Sequence, residues 1–163
     1  MKPLSRRQFL RCAARAAAGA LLTACAPQSA EPQPPEIVYD FDVCAGCGML
    51  ISEPRFAGAL VLADGPALKF DDLGDMVMYQ LDRPNLKITA WFVHDYYTEA
   101  WTRGETAFYI AYAGIASPMG HGLAAFATQT AADTFAQSEC GGAECPVMNF
   151  DEFRAHVHVN VHV

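Results

Sequence analysis

The stretch FAGALVLADGPALKFDDLGDMVMYQLD, residues 56–82, decides the fold class. Its first half is an apolar run that is interrupted by Asp-Gly-Pro at 64–66, a pattern typical of a β-hairpin with a tight turn. Over residues 71–82 the apolar side chains recur at helical spacing, and Asp71 or Asp72 stands where an N-cap is expected. A hairpin that leads into a helix predicts an α+β fold.

The rest of the chain shows the same kinds of element. We predict aromatic-rich strands over 87–96 and 105–114, a helix over 123–138, and a short strand with a turn over 145–156. The expected architecture is therefore a set of short antiparallel sheets, each with one packed helix. The order of elements also suggests two related βα halves, roughly 41–82 and 88–138.

The N-terminus has the layout of an export signal. Five of the eleven basic residues precede residue 25, no acidic residue does, and the apolar run that follows is shorter than the roughly 20 residues that span a bilayer. Ser5-Arg6-Arg7-Gln8-Phe9-Leu10 resembles a twin-arginine signal, and Leu22-Thr23-Ala24-Cys25 resembles a lipobox. A basic amphipathic helix of the mature chain and an ordinary buried cysteine are the competing interpretations.

We therefore expect a protein exported by the twin-arginine route and anchored by lipid on Cys25, facing the periplasm or the cell exterior. Residues 1–24 are the predicted signal peptide, the proline-rich residues 25–36 a tether, and 37–155 one folded domain. Loss of the five leading cations leaves six basic against 18 acidic residues, a net charge of −12. Such a charge argues against nucleic acid as a partner and suits a protein that binds cations.

The sequence DVCAGCGML, residues 42–50, places two thiols three positions apart. Cys44 and Cys47 fit a redox disulfide, half of a zinc site, or a soft-metal site to which Met49 contributes a thioether. The glycine at position 46 permits the tight turn that such a site needs. Cys140 and Cys145, five residues apart, fit a local disulfide better than a second metal site.

Four motifs together resemble the NosL family, the lipoprotein accessory factors of nitrous-oxide reductase that bind copper(I). They are Cys44-Ala-Gly-Cys47-Gly48-Met49, Phe70-Asp71-Asp72-Leu73-Gly74-Asp75-Met76, Val93-His94-Asp95-Tyr96 with Thr98 and Trp101, and Ser117-Pro118-Met119-Gly120-His121-Gly122. The resemblance implies copper(I) as cargo, with Met119 as a ligand and His121 as a further candidate beside Cys44, Cys47 and Met49. The competing interpretation is that Met119 only packs against the edge of a sheet. We interpret Met76 as core and His94 as a structural histidine, and leave the role of Asp75 open.

Three histidines near the C-terminus are separated by two and by four residues. In an extended strand, His156, His158 and His162 would share one face and could collect copper(II), nickel or zinc as an accessory site. A frayed terminus with chance histidines over 156–163 is the competing interpretation.

The predicted function is a membrane-tethered chaperone that delivers copper(I) to a copper enzyme. Nitrous-oxide reductase as recipient, and a membrane transporter complex as another partner, follow from the resemblance alone. No catalytic pattern of an enzyme is visible in the sequence. The alternatives are a thiol–disulfide oxidoreductase that uses Cys44 and Cys47, and a metal-free lipoprotein adaptor of an envelope assembly.

Overall fold

The predicted hairpin forms and begins the larger sheet. In the computed structural model, β1 (Gly58–Leu62) pairs antiparallel with β2 (Leu68–Phe70), so that Gly58 lies opposite Phe70. Gly65 in the connecting turn has φ 96°, a left-handed conformation that glycine adopts without steric cost. This prediction is confirmed.

The structure describes residues 31–140 and 145–161. The predicted signal peptide, Cys25 and His162 lie outside these ranges. After the hairpin come α1 (Leu73–Leu81), β3 (Ile88–His94), β4 (Trp101–Arg103), β5 (Phe108–Ala111), β6 (Leu123–Phe126), α2 (Gln129–Glu139) and α3 (Phe150–Asn160). None of the helices in the described ranges has the length and apolar character that crossing a bilayer requires.

Two antiparallel sheets confirm the α+β class. The larger has the strand order β2-β1-β3-β4, and the smaller pairs β5 with β6. α1 contacts β1 and β2, whereas α2 contacts β5 and β6, so each sheet has its helix as expected. β4, which the sequence did not predict, pairs with β3 through His94 and Trp101. Because β3 and β4 join the first hairpin, the larger sheet crosses the boundary expected between two βα halves.

The core between the sheets and helices is dominated by large apolar side chains. Met76 of α1 is fully buried, which confirms its interpretation as core. α3 packs against this core, and its Phe153 stacks on Tyr109 of β5 with ring centroids 4.0 Å apart. In a second cluster, the predicted disulfide joins Cys140 and Cys145 beside Phe135 of α2.

Two predicted elements are wrong in type or extent. The helix predicted over 123–138 begins only at Gln129, because residues 123–126 form β6 and all four are buried against β5. A short apolar run fits a buried strand as well as a buried helix, and periodicity does not separate the two. The strand predicted within 145–156 is reduced to a single antiparallel bridge between Met148 and Tyr109, and α3 follows from Phe150 after a capping box formed by Asn149 and Glu152.

The C-terminal histidines do not lie on an extended strand. His156 and His158 belong to α3, and Val157 between them is fully buried. Residues two apart on an α-helix point about 200° apart around its axis, so these two imidazoles face different sides. The expected common face is therefore wrong for the two described histidines.

Candidate metal site

Cys44 and Cys47 lie in a tight turn closed by a short antiparallel bridge. Val43 pairs with Leu50, the Cys44 N–H donates to the Met49 carbonyl (2.8 Å), and the Gly48 N–H donates to the Cys44 carbonyl (3.1 Å). Cys44 is buried, Cys47 is half-buried, and both thiols are free. The turn thus brings both sulfur atoms to one place and leaves one of them partly accessible.

Two carboxylates of the α1 region face these thiols. The Cys47 thiol donates to Asp71 Oδ1 (3.4 Å), and the Cys44 thiol donates to Asp75 Oδ2 (3.7 Å). One ligand atom from each of the four residues lies within 4.8 Å of the other three. Asp71 Oδ2 is buried and has no hydrogen-bond partner among the described residues, so this oxygen is available to a proton or a cation.

Sequence reasoning missed this pair of carboxylates. From the sequence, Asp71 is a candidate N-cap and Asp75 has no assigned role. The available signal is the group of three acidic residues around the start of the predicted helix, beside a motif that already carries two thiols. The cap itself is Asp72, which accepts the Gly74 N–H (2.8 Å).

The environment keeps both thiols protonated. Burial raises the pKa of the Cys44 thiol, and the nearby Asp71 carboxylate raises it further. Burial also raises the pKa of Cys47 well above its ordinary value, and the neighbouring Cys44 and Asp75 side chains act in the same direction. Two thiolates beside two carboxylates would repel one another, and a bound cation would offset that repulsion.

His121 reaches the cluster through Asp75. Its Nε2 lies 3.2 Å from Asp75 Oδ1, and this hydrogen bond, opposed by burial, raises the pKa of His121. Burial by itself would raise the pKa of Asp75, but the hydrogen bonds from His121 and the thiols outweigh it and lower that pKa. A Cβ at position 74 would overlap the His121 ring, so Gly74 is what permits this close approach.

The two predicted methionine ligands are held near the cluster in different ways. Asp72 Oδ2 accepts the Met119 N–H (3.3 Å), which ties the 117–122 loop to the start of α1. Met119 is half-buried there, whereas the side chain of Met49, on the same turn as the cysteines, is 48% exposed. The structure thus gathers the chain segments of all five predicted ligands around one helix N-terminus.

A cleft of about 280 Å³ gives access to the cluster from solvent. Gly46, Cys47 and Asp75 line its inner side, and Met78 and Tyr79 of α1 form a wall. Cys47 is therefore the thiol on the access route. An ion entering or leaving the cluster would pass this residue first.

The remaining predicted histidines lie outside the cluster. The His94 Nδ1–H donates to the Ala57 carbonyl (3.0 Å), its Nε2 accepts from the Tyr39 hydroxyl (3.2 Å), and burial lowers its pKa. This confirms a structural role for His94. Among the described residues, the four-residue cluster above is the single group of three or more such ligands, and it includes neither His156 nor His158.

Comparison with known proteins agrees with the motif resemblance. The family model described as NosL matches residues 36–157. Among solved structures, the crystal structure of the copper chaperone NosL from Shewanella denitrificans matches with a TM-score of 0.62 and 21% identity, over 74% of this chain and 96% of that one. At this identity the structural match shows a shared fold. The search of curated proteins gave no significant match.

Proposed function

Because the chain belongs to the NosL family, we propose that it is an exported lipoprotein chaperone that binds copper(I) and delivers it to a copper enzyme. The proposed recipient is nitrous-oxide reductase, with a membrane transporter complex as a further partner; both follow from the motif resemblance. Lipid on Cys25 and the tether over 25–36 hold the domain at the membrane in this proposal.

The observation that carries the proposal is the pair of free thiols converging beside an access cleft. Copper(I) is a soft ion that prefers thiolate and thioether ligands and is satisfied by few of them. Cys44 and Cys47 supply the two thiolates in this proposal. The thioethers come from Met49, on the same turn, and from Met119, whose loop is tied to the start of α1. A neutral thioether binds more weakly than a thiolate, which favours release to a partner.

Asp71 and Asp75 are poor ligands for a soft ion because their donors are hard oxygens. We assign them the task of passing to solvent the protons that both thiols must release when copper(I) binds. Each carboxylate already accepts a hydrogen bond from a thiol, and Asp71 has a free buried oxygen. His121, paired with Asp75, becomes a copper ligand only if that ion pair opens.

The thiol environment favours this function over a thiol–disulfide oxidoreductase. Redox-active C-x-x-C motifs lower the pKa of the attacking thiol, often at a helix N-terminus. Here burial and carboxylate neighbours raise the pKa of both thiols, and the cysteines lie in a turn rather than at the start of a helix. A raised thiol pKa slows attack on a disulfide but is compatible with metal binding, because the metal displaces the protons.

A competition titration tests copper(I) binding directly. The full chain, in detergent and under reducing conditions, would compete with a copper(I) chelator as wild type, Cys44→Ser and Cys47→Ser. Each serine variant should bind orders of magnitude more weakly, since it loses a thiolate. Met78→Leu, which alters the same cleft without touching a proposed ligand, is the matched control and should retain wild-type affinity.

The same titration separates the alternatives. Wild-type affinity in both serine variants would refute the metal site. Tight binding of zinc combined with weak binding of copper(I) would replace the cargo by zinc. Turnover of a disulfide substrate that needs both cysteines would favour the oxidoreductase instead.

A further inference from the structure

Exposed apolar side chains are concentrated next to the candidate metal site. Of the seven large apolar residues that are prominently exposed in the described ranges, five lie between residues 38 and 50. They are Val38, Phe41, Val43, Met49 and Leu50, which we call the 38–50 patch. Single exposed apolar residues are common, but a contiguous group marks an interaction surface.

Backbone hydrogen bonds hold together the two short segments that carry these residues. The Asp40 N–H donates to the Ile51 carbonyl, and the Ile51 N–H donates to the Asp42 carbonyl, both at 2.9 Å. Val43 and Leu50 are bridge partners, and directly opposed residues project from the same face of an antiparallel pair. Their side chains are 57% and 52% exposed, so that face is apolar and open to solvent.

Hydrogen bonds hold the turn that carries Phe41. The Asp42 carboxylate accepts hydrogen bonds from the Val38 N–H and from Lys69 Nζ, both at 2.7 Å. Asp40 has φ 62°, a left-handed conformation that costs free energy in a residue other than glycine. The result is a phenylalanine ring that is 76% exposed, so the strained turn presents the ring instead of burying it. An aromatic side chain held in place before binding loses little entropy on association.

The acidic residues around the 38–50 patch indicate the chemistry of its binding partner. Residues 36–53 contain four acidic residues and no lysine or arginine. Asp42 is paired with Lys69, while Glu36, Asp40 and Glu53 are exposed around the apolar residues. Anionic lipid would be repelled by these carboxylates, whereas a protein surface fringed with basic residues would be attracted.

We propose that the 38–50 patch is the docking surface for the copper-accepting protein, with Phe41 as its anchor. The partner surface would be an apolar depression with lysine or arginine at its rim. Cys47 lies within the patch segment and on the access cleft, so docking brings the partner's ligands to the ion. This inference rests on the proposed function, since it assigns the surface through which copper(I) leaves.

Transfer kinetics test the inference separately from binding. Full-length wild type, Phe41→Ser and Val43→Ser/Leu50→Ser would be loaded with copper(I) and mixed with metal-free nitrous-oxide reductase. The rate of copper uptake should fall about tenfold or more in the patch variants, while their chelator-measured affinity and thermal midpoint stay unchanged. Val159→Ser, which removes an exposed apolar residue of α3 outside the patch, is the matched control and should transfer at the wild-type rate.

Charge is tested with Asp40→Asn, because asparagine tolerates the left-handed backbone. Transfer should slow, and its dependence on salt should weaken. Equal transfer rates for wild type and the Phe41→Ser chain would overturn the docking surface and leave the chaperone function standing. No transfer from a wild type that binds copper(I) would overturn the recipient and the docking inference together.

Two further measurements cover the other possible occupants. Phe41-dependent self-association of the full chain in sedimentation velocity would assign the patch to a second copy and overturn the proposal. Phe41-dependent binding of a Cys25→Ser chain to vesicles of phosphatidylethanolamine and phosphatidylglycerol would assign the patch to lipid and overturn it as well. Absence of both effects, with slowed transfer, supports it.

Discussion

Replacing Asp72 with alanine should destabilise the fold and loosen the Met119 loop at once. One carboxylate oxygen caps α1 by accepting the Gly74 N–H (2.8 Å), and the other accepts the Met119 N–H (3.3 Å). Loss of an N-cap costs about 1 kcal/mol. Leaving the half-buried Met119 N–H without an acceptor costs about 1–3 kcal/mol more.

The cost of burying the Asp72 carboxylate in the wild type reduces the expected loss of stability. Asp72 is fully buried, and burial raises the pKa of its carboxyl group despite the hydrogen bonds it accepts. Removing a carboxylate that is costly to bury returns part of the loss, so we expect a net destabilisation of about 2 kcal/mol. Copper(I) affinity should fall about tenfold, the effect of losing one weak ligand worth about 1.4 kcal/mol.

Urea denaturation and chelator competition measure the two effects. Thr128→Ala, which removes the side-chain cap of α2, is the matched control and should cost about 1 kcal/mol with no change in copper(I) affinity. Asp72→Asn keeps only one acceptor, because its second terminal atom is an NH2 donor, so it should retain the cap to Gly74 while losing the bond to Met119. The reasoning is refuted if Asp72→Ala loses no more stability than Thr128→Ala and binds copper(I) like wild type.

Three other outcomes are expected. Met49→Leu and Met119→Leu should each weaken copper(I) binding about tenfold in chelator competition, and unchanged affinity would remove that sulfur from the ligand set. Burial raises the pKa of the Cys44 and Cys47 thiols, so both thiols release a proton when copper(I) binds. The copper(I) affinity should therefore rise up to about a hundredfold per pH unit from about pH 6 to about pH 8. A pH-independent affinity would contradict protonated thiols. Phe153→Ala should cost about 3–5 kcal/mol in urea denaturation, because it removes a fully buried ring stacked on Tyr109, and a cost below about 1 kcal/mol would show that the core collapses to fill the space.

The candidate site was predictable only where its residues are neighbours in sequence. Cys44 and Cys47 could be paired from their spacing, and the turn that joins them follows from the glycines. Asp71 and Asp75 could not be assigned to the same cluster, because nothing local states that the start of α1 packs against a turn some 25 residues earlier. The contact of His121 with Asp75 spans 46 residues and exists only in the folded chain.

The errors in the fold have the same origin. Residues 123–126 carry an apolar run that either a strand or a helix could bury, and pairing with β5 decides for the strand. Residues 150–160 form a helix whose capping signal, Asn149 and Glu152, was present in the sequence but was outweighed by the alternation of histidine and valine that follows. Burial of Val157 and Phe153 against the core then fixes that helix, which separates His156 from His158.

The sequence predicts the α+β class, the hairpin with its glycine turn, the approximate extent of α1 with a cap at Asp71 or Asp72, and the disulfide between Cys140 and Cys145. Each of these depends on residues within one local segment, where turn geometry, capping and helical spacing act directly. The tertiary structure alone decided which carboxylates face the thiols, which ring needs the glycine at position 74, and which apolar side chains remain exposed. Those outcomes depend on how distant segments pack, since burial and long-range contacts exist only in the folded chain.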